Sequence, residues 1–255
     1  MFAEALAFLG LLILGGVLGA VSGVSLARLG RRGEAKPVVY ALAPWLVVLG
    51  AIDVYLVNGG LSWLFPDSTA DVAPLNLAVT ALVLSAPILL FRIFGKAPGW
   101  FRHGQVQRRI TWALRVWLVA MPGFLAVVLV NNFIFQNWIP WTPGSDPLLG
   151  LADLSTSDLA LSALFLCILL PILEEALFRG YLFRGLLGAK FGLSPVRALA
   201  ISSLIFALAH RPDMWLPMLY LGSLLAWLDW RGADLRLCMM AHIAHNSFFF
   251  TLALI

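Results

Sequence analysis

The stretch LSALFLCILLPILEEALFRG, residues 161–180, decides how this chain folds. It is apolar from Leu161 to Leu173 apart from Ser162. Glu174, Glu175 and Arg179 then appear without the apolar background ending. An apolar run of this length reads as a helix in a bilayer, not as a strand. Ionisable side chains inside such a helix are costly, and each is a functional candidate by default.

The rest of the chain has the same character. Of its 255 residues, 61% are hydrophobic and 12% charged. Soluble domains are about 45–50% apolar and about 25% charged. The bilayer must therefore be part of the solvent, and the fold class expected is all-α: a polytopic membrane helix bundle. Eight spans of roughly 20 residues are read. They cover Glu4 to Ala27, Pro37 to Val57, Pro74 to Phe91 and Ile110 to Phe135. A fifth starts near Asp158 and a sixth at Pro195, a good first-turn residue. A seventh covers Met214 to Leu228, and the last runs from Leu237 to the C-terminus. No Lys or Arg precedes the first span, so it lacks the basic segment of a signal peptide. Gly15, Gly19 and Gly23 in that span would let another helix pack closely.

Loop charges alternate. Arg28, Arg31, Arg32 and Lys36 follow span one; Arg92, Lys96, Arg102, Arg108 and Arg109 follow span three. Arg184, Lys190 and Arg197 follow span five, and Arg231 and Arg236 follow span seven. The loops after spans two and four carry Asp67 and Asp71, then Asp146 and Asp153, and no Lys or Arg. The positive-inside rule puts the basic loops in the cytoplasm and both termini outside. Trp138 and Trp141 suit the outer interface. Short loops and a compact chain point to a bacterial inner membrane. Cys167 and Cys238 are expected to be small buried hydrophobes, forming neither a disulfide nor a zinc–thiolate site. No basic stripe interleaved with aromatics points to nucleic acid.

The intramembrane polar set is short: Asp53, Arg115, Glu174, Glu175, Arg179, His210, His242, His245 and Asn246. Asp53 and Arg115 are isolated and read as structural or topological. His103, in a basic loop, reads as solvated. Adjacent residues on a helix point about 100° apart, so the two glutamates are expected to have separate tasks. Arg179 lies four residues after Glu175, where an ion pair forms. Glu174 would remain unpaired on another face, able to serve as general base or acid. If span five runs on to Lys190, Glu174 lies roughly 20–24 Å from the inner boundary. His210 lies roughly 20 Å from Arg197, and His242 and Asn246 roughly 9 and 15 Å from Arg236. All of them can then meet near mid-membrane, with Arg179 inside the protein. His242 and Asn246 share a face and can donate to developing negative charge.

Together these segments resemble the CPBP family, the CAAX-protease and bacteriocin-processing family of intramembrane glutamic endopeptidases. Its motifs EExxxR, FxxxH and HxxxN match Glu174, Glu175 and Arg179; Phe206 and His210; and His242 and Asn246. The resemblance covers roughly residues 160–250, so residues 156–255 are read as the catalytic core. Residues 1–155 carry spans without a matched motif, within one integral membrane unit. The resemblance implies that Glu174 and His210 activate a water, that His242 and Asn246 stabilise an oxyanion, and that Glu175 and Arg179 support them. It implies no metal or other cofactor, and a peptide or protein substrate in or at the membrane. His245 falls outside the motifs and is left as supporting or structural. Two alternatives stand beside this reading. One is a zinc hydrolase using Glu174, His210 and His242. The other is a non-catalytic membrane protein of transporter or immunity type.

Overall fold

The computed structural model describes residues 104–137, 154–188 and 191–255, with isolated positions at 77, 78, 80, 81, 84, 85, 88, 101 and 151. Spans one and two, Asp53, His103 and the glycines at 15, 19 and 23 lie outside the described residues. So do Trp138, Trp141, Lys190 and the acidic loop residues at 67, 71, 146 and 153. Span three is described only at scattered helical positions, of which Ala81 and Leu84 are buried.

The described residues are helical. We number the helices α1 Val106–Asn137, α2 Thr156–Leu187, α3 Pro195–Leu208, α4 Trp215–Gly232 and α5 Leu235–Leu252. A short 3₁₀ turn at Pro212–Met214 joins α3 to α4. The helix ends follow local chemistry. Ser155 caps α2 by accepting from the Asp158 N–H at 3.2 Å, and Asp234 caps α5 by accepting from the Arg236 N–H at 3.2 Å. Pro195 opens α3, where its missing N–H leaves nothing unpaired. α4 stops because Ala233 turns left-handed, at φ 50° and ψ 38°, and returns its N–H to the Asp229 carbonyl. α1 and α2, each of 32 residues, are long and apolar enough to cross a membrane.

α2 runs on past Arg179 to Leu187, so Arg179 is inside the protein and not at its edge. Its winding changes along the way. Leu164–Leu169 is π-helical, Leu170–Glu175 is α-helical, and Ala176–Phe183 is π-helical again. Wider winding of this kind recurs at functional sites.

One apolar core joins these helices, built from side chains such as Trp112, Phe124, Leu177, Phe178, Phe206 and Leu225. α3 and α4 pack most intimately because Gly222 lets them approach. A Cβ there would stand 3.0 Å from Phe206 Cδ1 and 3.3 Å from Ser203 Cα. α1 lies against α4 and α5, tied by Tyr220 Oη donating to the Ala120 carbonyl at 2.9 Å.

Two arginines read from sequence as loop charges are buried ion-pair partners instead. Arg184, inside α2, grips Asp229 of α4 with Nε–Oδ2 at 2.9 Å and Nη2–Oδ1 at 2.5 Å. Arg109, inside the first turn of α1, pairs with Asp234 at 2.7 Å and also donates to the Gly232 carbonyl. The reason is solvation. Asp229 and Asp234 are buried where α4 hands over to α5, and a buried carboxylate requires a cation. Arg115, by contrast, sits on an exposed face of α1.

Candidate active site

The i, i+4 spacing places Arg179 over Glu175 as expected, with Nη1–Oε1 at 3.0 Å. Glu175 is fully buried and Arg179 nearly so. The guanidinium has two further contacts. Its Nη2 donates to the Gly222 carbonyl of α4 at 3.1 Å, and its Cζ lies 4.3 Å from the centroid of the Phe206 ring of α3. One side chain thus ties α2, α3 and α4 around the glutamates.

Glu174 is on a different face of α2 from Glu175, as the spacing predicts, but the two glutamates do not have separate partners. Both glutamates meet His242 of α5, one on each ring nitrogen. Nδ1 donates to Glu175 Oε1 at 2.8 Å, and Nε2 lies 3.7 Å from Glu174 Oε2. An imidazole standing across the helix presents its two nitrogens on opposite edges, so carboxylates about 100° apart can each reach one. Glu174 is not buried like its neighbour; its side chain keeps 18% exposure. A separation of 3.7 Å is an electrostatic contact, not a hydrogen bond.

His210 follows the end of α3. Its Nδ1 lies 2.7 Å from the Phe206 carbonyl, which can only accept, so the proton is assigned to Nδ1. Nε2 of a neutral His210 then carries a lone pair. His210 interacts electrostatically with Glu174 and with His242. Phe206 forms the floor beneath this group, its ring 4.7 Å from His210, 6.0 Å from His242 and 5.1 Å from Phe178. Trp215 Nε1 donates to the His210 carbonyl at 3.0 Å, which fixes the turn into α4.

Asn246 lies one turn beyond His242. Its Nδ2 donates at 2.8 Å to the Leu166 carbonyl, two turns ahead of Glu174 on α2. His245 turns to a different face. It is buried between Phe124 and Phe249, at 4.5 and 4.8 Å, and does not join the group. The structure therefore brings Glu174, Glu175, Arg179, His210 and His242 together, with Asn246 at the border. Sequence spacing alone missed Phe206 as the shared floor and Gly222 as the acceptor for Arg179. Among the described residues, no three His, Cys, Asp or Glu side chains form a metal-holding group.

Comparison with known proteins matches residues 156–248 to the family described as Type II CAAX prenyl endopeptidase Rce1-like. Over those residues the chain is similar to that family, which supports the resemblance to the CPBP family drawn from its motifs. A curated relative, UPF0177 protein YxdF of Lactococcus lactis subsp. lactis (strain IL1403), is 29% identical over 144 residues. That alignment spans 55% of this chain and 75% of the relative. No solved structure matches the chain significantly. The CPBP family is a family of membrane proteases, and the matched residues contain every side chain of the group above.

Proposed function

We propose that this protein is an intramembrane endopeptidase that cleaves a peptide bond in a membrane-associated protein or peptide, using a water activated by Glu174. The observation that carries the reading is the clamp on His242 between Glu175 and Glu174, with His210 fixed beside it. A water held by Glu174 and by the Nε2 lone pair of His210 has an acceptor for each of its hydrogens. Glu174 takes one proton as the water attacks the scissile carbonyl, and later returns it to the leaving amine.

His242 and Asn246 serve the oxyanion. Glu175 accepts the hydrogen bond from Nδ1–H, which fixes the ring so that Nε2 faces the reaction. His242, lying between the two carboxylates, donates from Nε2. Asn246 has a second amide hydrogen besides the one given to Leu166. Arg179 holds Glu175 in place.

The setting proposed is an eight-span protein of a bacterial inner membrane, with basic loops in the cytoplasm. A relative from Lactococcus lactis supports a bacterial setting. A prenylated CAAX terminus requires a prenylating host, so the substrate proposed is an unprenylated peptide in or at the bilayer, such as a leader peptide or a C-terminal sorting helix.

The test compares new peptide termini in membranes of cells making the wild type, Glu174→Gln or His210→Ala. Termini present with the wild type and absent with both variants, at equal protein levels, are the expected result. Identical termini in all three would sink the hydrolase reading.

A further inference from the structure

We propose that Pro171 is a positioning residue for Asn246: it strips the Leu166 carbonyl of its helical donor, and the orphaned carbonyl then anchors the Asn246 amide. In the π-helical stretch Leu164–Leu169 each N–H returns five residues, as Leu170 does to Phe165. In that register the Leu166 carbonyl would be served by residue 171. Residue 171 is proline and has no N–H. The N–H one residue earlier, on Leu170, is given to Phe165.

In water such a carbonyl would be hydrated. Inside a bilayer each backbone polar group must find a partner in the protein, and prolines are tolerated there because neighbouring side chains supply it. Asn246, 80 residues further along the chain, does so at 2.8 Å. That bond fixes the plane of the amide. With one N–H held by Leu166, the second has a set direction, one turn from His242 on the same face of α5. The proline three residues before Glu174 thereby acts on a side chain of another helix. The part played by this amide in the reaction rests on the proposed function; the anchoring itself does not.

Two readouts test the anchoring without activity. In lipid nanodiscs, Asn246→Ala in the wild-type background leaves the Leu166 carbonyl unpartnered. A fall in Tm of about 2–4 °C is expected. In a Pro171→Ala background residue 171 has its N–H back, and the same substitution should shift Tm by less than half as much. Equal shifts in both backgrounds overturn the proposal. The second readout needs no proline variant. Labelling Leu at the carbonyl carbon with ¹³C and Cys with ¹⁵N marks two bonded pairs, Leu166–Cys167 and Leu237–Cys238. Asn246→Ala should move the Leu166 carbonyl resonance and leave that of Leu237 in place. An unmoved Leu166 resonance overturns the proposal.

With a cleavable peptide, Pro171→Ala and Asn246→Ala should each lower kcat on the order of 10–100-fold with KM little changed, and the double variant no further. Multiplying losses contradict a shared role. Full activity of Glu174→Gln would remove the hydrolytic reading while leaving the Tm and carbonyl results to decide the anchoring.

Discussion

Glu175 Oε1 receives two hydrogen bonds, one from Arg179 and one from His242, in a site closed to solvent. A carboxylate so placed is stable only while its cation remains. Removing one partner of a buried pair typically costs about 3–5 kcal/mol, because the other is left charged and uncompensated. Arg179→Met should lower unfolding stability by that amount, read by denaturation in detergent. Arg179→Lys should fall between the two, since one ammonium cannot reproduce a planar fork reaching both Glu175 and the Gly222 carbonyl. A Met variant as stable as the wild type would contradict the role given to this pair. The pair itself was legible in sequence, because i, i+4 spacing on one helix is local. The partner they share was not. His242 is 67 residues from Glu175, and no periodicity reports which edge of its ring faces which carboxylate.

Among the helices, α2 carries most of what the site needs, and its changes of winding separate the spacing argument from the result. A 3.6-residue period puts Glu174 and Glu175 on different faces, which holds for Leu170–Glu175 but says nothing about a ring reaching both. The helix boundaries were legible from apolar runs and end residues: Pro195 does open α3, and α2 does run past Arg179. The buried pairs Arg184–Asp229 and Arg109–Asp234 were not, since their partners lie 45 and 125 residues apart in sequence. Where α4 ends, Ala233 adopts a left-handed conformation that suits glycine better. Ala233→Gly should therefore stabilise the protein by about 1 kcal/mol without altering the site. A decrease in stability would show that the Ala233 methyl group contributes packing that outweighs the backbone strain.

For the whole molecule, a hydrophobic bundle surrounds a polar interior that would be ruinous if it had no purpose. Charge alternation along the loops predicts that residues 28–36 and 92–109 face the cytoplasm and residues 67–71 and 146–153 the opposite side. Cysteines introduced one at a time, then labelled by a membrane-impermeant reagent in intact cells, test this. Labelling of the first set from outside would overturn the topology. The proposed reaction depends less on that arrangement than on one carboxylate, Glu174, which keeps 18% exposure while Glu175 keeps none. The most direct measurement is the single-turnover cleavage rate of a membrane-embedded peptide by purified protein in nanodiscs, wild type against Glu174→Gln. Loss of a general base predicts a fall of about 10²–10⁴-fold with peptide binding retained. An unchanged rate would contradict the assignment of Glu174 as the group that activates water.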